Sequence, residues 1–340
     1  MKSIFRLFVL LCAFACHAQQ KNTFHNPLLS SGADPWVTYK DGYYYYMHTV
    51  GNHLELWKTA NMAKLGEAPH KNIWTPPASG PFSKEIWAPE IHFLRGKWFV
   101  YFCADDGDNQ HHRIYVLENS SPDPMQGSWE MKGKVSDPAG KWAIDASVFE
   151  HKRKLYMIWS GWECDKNGEQ DIYIAEMKDP LTITGQRVRI SRPVLDWETH
   201  GDLNDPNLPH VNVNEGPEIL KHGNKLFLFY SASACWTDFY ALGMLVADGN
   251  SNLLDSASWK KSTKPMFMQS PENGVFAPGH NSFFTSPDGK QNWILYHAND
   301  NPGDGCGNKR SPRMQPFTWG RDGMPVLGKP VAVKTELRIP

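Results

Sequence analysis

Five stretches of the chain consist almost entirely of aromatic and aliphatic residues: 43–48 (YYYYMH), 97–103 (KWFVYFC), 154–160 (KLYMIWS), 225–231 (KLFLFYS) and 292–297 (NWILYH). Such runs suit strands with little solvent on either face. Each follows a turn signal, at Asp41-Gly42, Arg95-Gly96, Lys152-Arg153, His222-Gly223 and Asp288-Gly289. Each turn follows another apolar strand, at 36–39, 91–94, 147–149, 218–220 and 282–284. The chain therefore reads as five copies of one antiparallel hairpin. Third strands follow at 54–59, 113–117, 171–176, 241–247 and 314–319. Fourth strands leave a weaker trace, at 128–135, 187–191 and 324–331.

Long helical periodicity is absent, and 25 Pro with 27 Gly punctuate the connections. Four antiparallel strands per repeat predict an all-β chain, a five-bladed β-propeller. In that architecture the first strand of each blade lines the axis. The loops after the second strands then surround one mouth. Counting eight residues back from each turn gives the expected axial positions: Asp34, Ala88, Asp145, Glu215 and Asn281, with His280 beside the last.

Composition narrows the class. The 340 residues are 41% hydrophobic, which excludes disorder. The net charge of −1 provides no basic surplus for phosphates, so nucleic acid is not an expected partner. Fourteen Trp imply either a large aromatic core or a surface that stacks on flat ligands.

Residues 1–18 read as a secretory leader. Lys2 and Arg6 precede an apolar run at 7–15, and Cys16-His17-Ala18 forms a cleavage exit before Gln19. The expected product is an exported monomer, periplasmic or secreted, with residues 19–340 as one domain. A lipid anchor on Cys16 is the alternative. The run is too short to span a bilayer, and no later run is long enough. Cleavage leaves Cys103, Cys164, Cys235 and Cys306, which admit three pairings.

Three of the five axial positions are carboxylates: Asp34, Asp145 and Glu215. Singly, each is ordinary turn chemistry. Gathered in one poorly solvated funnel, they must raise some pKa or hold a cation. A neutral and an ionised carboxyl flanking a sugar are the machinery of glycoside hydrolysis. Trp36, Trp87, Trp162 and Trp236 lie on axial or mouth segments, where indole faces stack on sugar rings. Trp98, Trp159 and Trp293 sit inside second strands and read as core. A metal at His111-His112 is disfavoured, because neighbours on a strand face opposite ways. Asp105-Asp106-Gly107-Asp108 resembles a Ca²⁺ loop but has Val116 where a Glu is needed.

From about 25 to 330 the sequence resembles glycoside hydrolase family 43. The likeness rests on ADPWV around Asp34, AIDASVF around Asp145 and NEGPEI around Glu215, with supporting segments WAPEIH (87–92), PGHNS (278–282) and RMQPF (313–317). The stretches WSGWE, YSASACWT and YHA are similar to exo-acting α-L-arabinofuranosidases of that family. The resemblance implies inverting hydrolysis of an arabinose-containing oligosaccharide or polysaccharide. Asp34 would be the general base, Glu215 the general acid, and Asp145 the residue that orients Glu215 and raises its pKa. Arg313 would bind a sugar hydroxyl or restrain a carboxylate. No cofactor is required for the chemistry. His280 would hold Ca²⁺ or another ion through water, with a satisfied core histidine as the alternative. A β-xylosidase, an endo-arabinanase and a silent carbohydrate-binding propeller remain alternatives.

Overall fold

The computed structural model describes residues 23–202 and 210–339. The leader at 1–18, and Cys16 with it, lies outside the described residues. The chain is all-β. Among the described residues the main strands form five antiparallel groups of four. The first contains Ala33–Lys40, Tyr43–Thr49, Leu54–Thr59 and His70–Trp74. The second contains Lys84–Leu94, Lys97–Asp105, Arg113–Asn119 and Glu130–Val135. Ala143–His151, Lys154–Gly161, Glu169–Asp179 and Thr182–Ser191 make the third. Asn212–His222, Lys225–Ala232, Ala241–Asp248 and Lys260–Lys261 make the fourth, and Phe276–Thr285, Asn292–Asn299, Ser311–Trp319 and Pro325–Val326 the fifth. The third and fourth groups share one sheet through a short parallel pairing of Glu169 and Gln170 with Asn212 and Val213. Thr23–Phe24 pairs with Leu337–Arg338, bringing the two ends of the described chain together.

The aromatic runs are the second strands, and their two apolar faces have different destinations. Trp98 and Val100 pack toward Trp36 and Tyr45 of the first group, whereas Phe99 and Tyr101 pack toward Val148 and Met157 of the third. The same alternation seats Tyr156 and Ile158 against Leu228 and Tyr230, and Phe227 and Phe229 against Ile294 and Tyr296. A further cluster joins Phe284, Trp293 and Leu295 of the fifth group to Val37, Tyr44 and Trp57 of the first. Each group thus buries both faces only because it has a neighbour on each side.

Each first strand carries a bulge at the same height. The register shifts between Ala33 and Trp36, Trp87 and Glu90, Ile144 and Ser147, Glu215 and Glu218, and Gly279 and Ser282. One residue inside each bulge is left-handed: Asp34 (φ 56°), Ala88 (45°), Asp145 (56°), Gly216 (53°) and His280 (44°). For the four non-glycine residues this conformation costs roughly 1–3 kcal/mol each and re-aims the side chain.

These bulges correct the expected repeat register at two positions. In four hairpins a two-residue loop joins the strands, at 41–42, 95–96, 152–153 and 223–224. Eight residues back from the second loop residue lies the left-handed position. In the fourth hairpin the glycine comes first, so counting from Gly223 lands on Glu215 instead of Gly216. The fifth hairpin pairs Thr285 with Asn292 around a longer loop, and the count lands on Asn281 instead of His280.

Candidate active site

The bulged ends of the first strands open into a cavity of about 520 Å³. Asp34, Asp145, Glu215 and His280 all line it. Asp34 is held on every side. Thr49 Oγ1 donates to its Oδ2 at 2.6 Å, and Thr49 in turn accepts from the Ala88 N–H at 2.8 Å. Arg310 Nη1 donates to Oδ1 at 3.1 Å, and His280 Nδ1 lies 3.3 Å from the same oxygen. The Asp34 N–H donates to His297 Nδ1 at 3.0 Å, which makes that nitrogen the acceptor of its ring.

These contacts set the charge states. Burial pushes Asp34 up, but Arg310, His280, His297 and the Thr49 hydroxyl outweigh it and hold the carboxyl well below the usual range. Burial drives both imidazoles toward their neutral forms. The standing positive charge beside Asp34 near neutral pH is therefore Arg310. Asp145 is pushed well up by burial and by the neighbouring Glu215 and Asp34, although its Oδ2 accepts the Gly216 N–H at 3.0 Å. Glu215 is pushed up to about 7, mainly by burial and then by Asp34, against the opposing hydroxyl of Tyr240 and charge of Arg310. One mouth thus gathers a carboxylate held ionised and two carboxyls held toward the neutral form.

Aromatic residues form one wall. Trp87 and Trp142 line the cavity. Trp87 stacks on His112 at 4.2 Å, and Trp142 stacks on Trp162 at 4.6 Å with the rings 9° from parallel. Trp142 Nε1 donates to the Asn109 carbonyl at 2.7 Å, which fixes the indole. Trp236 also lines the cavity, next to Cys235, which is bonded to Cys306; both cysteines face the cavity too. The structure contains this single bond with Cys103 and Cys164 free, so it realises half of one of the three pairings the sequence admits.

Three expected substrate contacts lie elsewhere. Trp36 is core: it packs on His92, and its Nε1 donates to the Ile91 carbonyl at 2.9 Å. Trp162 is 2% exposed and backs Trp142 instead of lining the cavity. Arg313 is fully buried and donates to Asp300 at 2.7 Å, so the carboxylate it restrains is not one of the three at the mouth. The ion expected at His280 through water gains no support from the side chains around it. Ca²⁺ takes six to eight oxygens, whereas the Asp34 oxygen nearest His280, Oδ1, already accepts from Arg310 at 3.1 Å. Among the described residues no group of three or more His, Cys, Asp or Glu is placed to hold a metal ion.

Sequence reasoning missed Arg310, Trp142, Thr49 and Tyr240. Arg310 and Trp142 had a usable signal. Arg310 immediately precedes the strand Ser311–Trp319, at the mouth end, whereas Arg313 lies inside it. Trp142 directly precedes the strand that bears Asp145.

The comparisons with known proteins agree with this geometry. The family model for glycosyl hydrolases family 43 matches residues 24–325. An extracellular exo-α-(1→5)-L-arabinofuranosidase of Streptomyces avermitilis is 41% identical over 318 residues, covering 91% of this chain and 64% of that protein. A protein of the same name from Streptomyces chartreusis is 38% identical over 280 residues, covering 81% and 82%. The crystal structure of an α-L-arabinofuranosidase from Lactobacillus brevis superposes with a TM-score of 0.85 at 37% identity, covering 92% of this chain and 98% of that one. The chain thus spans just under two thirds of the S. avermitilis relative. With the matched segment reaching across nearly all the described strands, this chain belongs to glycosyl hydrolase family 43.

Proposed function

We propose that the chain is an exported glycoside hydrolase that releases terminal α-L-arabinofuranosyl residues from arabinan or arabino-oligosaccharides, inverting the anomeric carbon. The observation that carries this reading is the split of protonation at one mouth: Asp34 is held ionised beside Arg310, while Glu215 is pushed up to about 7. Two relatives at 41% and 38% identity are named exo-α-(1→5)-L-arabinofuranosidases, which supports the sugar and the exo action. Relatives named arabinan endo-1,5-α-L-arabinosidases are more distant, at 24–26% identity. The five strand groups are read as the blades of a five-bladed propeller forming one catalytic domain from residue 19 onward. Supporting this, successive groups share apolar clusters and the last packs on the first.

In the reaction, Asp34 accepts a proton from water as the water oxygen bonds to the anomeric carbon. Glu215 gives its proton to the glycosidic oxygen, which leaves with the bonding pair. Asp145, whose Oδ2 accepts the Gly216 N–H, fixes the backbone beside Glu215, while burial and the charge of Asp34 keep Glu215 protonated. Trp87, Trp142 and Trp236 enclose the sugar. Activity should fall as pH rises through about 7, where Glu215 loses its proton.

Glu215→Gln tests the assignment. It should cut turnover of an arabino-oligosaccharide by roughly 10²–10⁴-fold, and much less for an aryl arabinoside with a good leaving group. Near-normal hydrolysis of the oligosaccharide rejects Glu215 as the acid. NMR of the first-formed anomer reads inversion directly, and a screen of arabinose, xylose and galactose aryl glycosides beside linear arabinan reads the substrate.

A further inference from the structure

Glu215 reaches the cavity with one carboxylate oxygen already engaged. Tyr240, the residue before the strand Ala241–Asp248, donates its hydroxyl to Oε1 of Glu215 at 2.8 Å. The tyrosine is 1% exposed, and its ring is clamped. One face lies so close to Gly279 that a Cβ there would fall 2.2 Å from the ring. The ring also runs parallel to His297, 6° apart at 5.6 Å. His297 accepts the Asp34 N–H, so the same ring that abuts the acid is braced by the imidazole behind the base. Gly279 precedes His280, and only a residue without a side chain lets this clamp form.

We propose that Tyr240 is the positioning residue of the proton donor: by holding Oε1 it leaves Oε2 as the oxygen that carries and delivers the proton. The inference rests on Glu215 being the general acid. In a neutral carboxyl the carbonyl oxygen is the stronger acceptor, so a phenol donating to Oε1 favours the form in which Oε1 is the carbonyl oxygen. The proton of Glu215 therefore sits on Oε2 and passes from there to the glycosidic oxygen. As it leaves, negative charge grows on the carboxylate and the Tyr240 hydrogen bond becomes charge-assisted. An interaction that strengthens on the way to the transition state raises turnover. Burial and the neighbouring Glu215 push the phenol well above its usual range, so it remains a donor throughout.

Tyr240→Phe tests this. For an arabino-oligosaccharide kcat/KM should fall about ten- to a hundredfold, the weight of a hydrogen bond to a charged group. The loss should be under tenfold for a 4-nitrophenyl arabinoside, whose leaving group needs little protonation. The basic limb of the pH profile should move up, because the ionised acid has lost a donor. Equal losses on both substrates with an unmoved basic limb overturn the proposal and leave Tyr240 a packing residue. Site-specific 3-fluorotyrosine at 240 keeps the ring and strengthens the donor, so it should move the limb down if the phenylalanine variant does not fold. A substrate-free readout separates this proposal from the activity it rests on. The Glu215 carboxyl stretch, isolated as an infrared difference against Glu215→Gln, should titrate higher in Tyr240→Phe even if arabinofuranosides are not hydrolysed. An unmoved midpoint rejects the role of Tyr240.

Discussion

The two sides of the cavity are made rigid by different means. The side from the second and third strand groups is a stack of rings: Trp87 on His112 and Trp142 on Trp162. His112 is itself fully buried against Asp105 at 3.1 Å. The side from the fourth and fifth groups carries only a small apolar cluster, Val211, Val213 and Ala234 under Trp236, and otherwise loop, with Gly303, Gly305 and Gly307 in one segment. It is held by the Cys235–Cys306 bond and by the Asp238 carboxylate accepting the Gly303 N–H at 2.9 Å. Flat, uncharged surface comes from packed strand ends. The charge, Arg310, comes at the exit of the tied loop. Under the proposed function the stacked side would act mainly on binding, and Arg310 on the loop side would set the ionisation of Asp34.

The sharpest test of that division is Arg310→Ala. Asp34 loses its standing positive partner and one hydrogen bond, so kcat/KM should drop by about 10²–10³-fold. The sign of the pH effect follows from the base. Asp34 must be ionised, Arg310 favours the ionised form, and its removal raises the pKa. The acid limb of kcat/KM should therefore move up, so the variant loses relatively more activity at low pH. An unmoved acid limb means that Arg310 acts on substrate alone.

Next in size is Trp142→Ala. Trp142 is buried, and its removal leaves Trp162 without a stacking partner. A stability loss of about 3 kcal/mol should accompany roughly a tenfold rise in KM, the scale of one aromatic stacking contact. Neither limb of the pH profile should shift, because the indole carries no charge. A shifted limb would show that the stacked side also sets ionisation, and the contrast between the two sides would collapse.

How much of this was legible in the sequence depends on what each residue does locally. The second and third strands were readable because each buries an apolar face. The strand at His70–Trp74 was not, because its first three residues are exposed and it shows no apolar alternation. The fourth-group edge strand, Lys260–Lys261, is two lysines long. Asp34 and Asp145 fell out of the repeat because the hairpin loops before their count are alike. Glu215 was found through a one-residue slip that the glycine order in its own hairpin produced. Tyr240 left no trace: its role depends on Gly279 and His297, which lie in a different strand group. Trp36 and Arg313 misled because proximity to the axis in sequence does not say which way a strand side chain points.

The smallest effect on activity should come from Cys235→Ser with Cys306→Ser, although both sulfurs face the cavity. The bond closes a loop across a sequence separation of 71 residues, so its loss should cost about 2–4 kcal/mol of stability. Arg310 does not depend on it. Its carbonyl accepts the Gly32 N–H at 2.9 Å, and the next residue, Ser311, is already paired with Ala298 in the strand. The guanidinium should stay on Asp34, with kcat/KM at 25 °C falling by less than about threefold, within roughly 0.6 kcal/mol, and an unmoved acid limb. Reduction of the wild-type protein should reproduce both results. A loss matching that of Arg310→Ala, with the same shift of the acid limb, would mean that the covalent tie holds the charge in place. The loop side would then need its bond for chemistry as well as for stability, and the stacked side alone would be set by the strands.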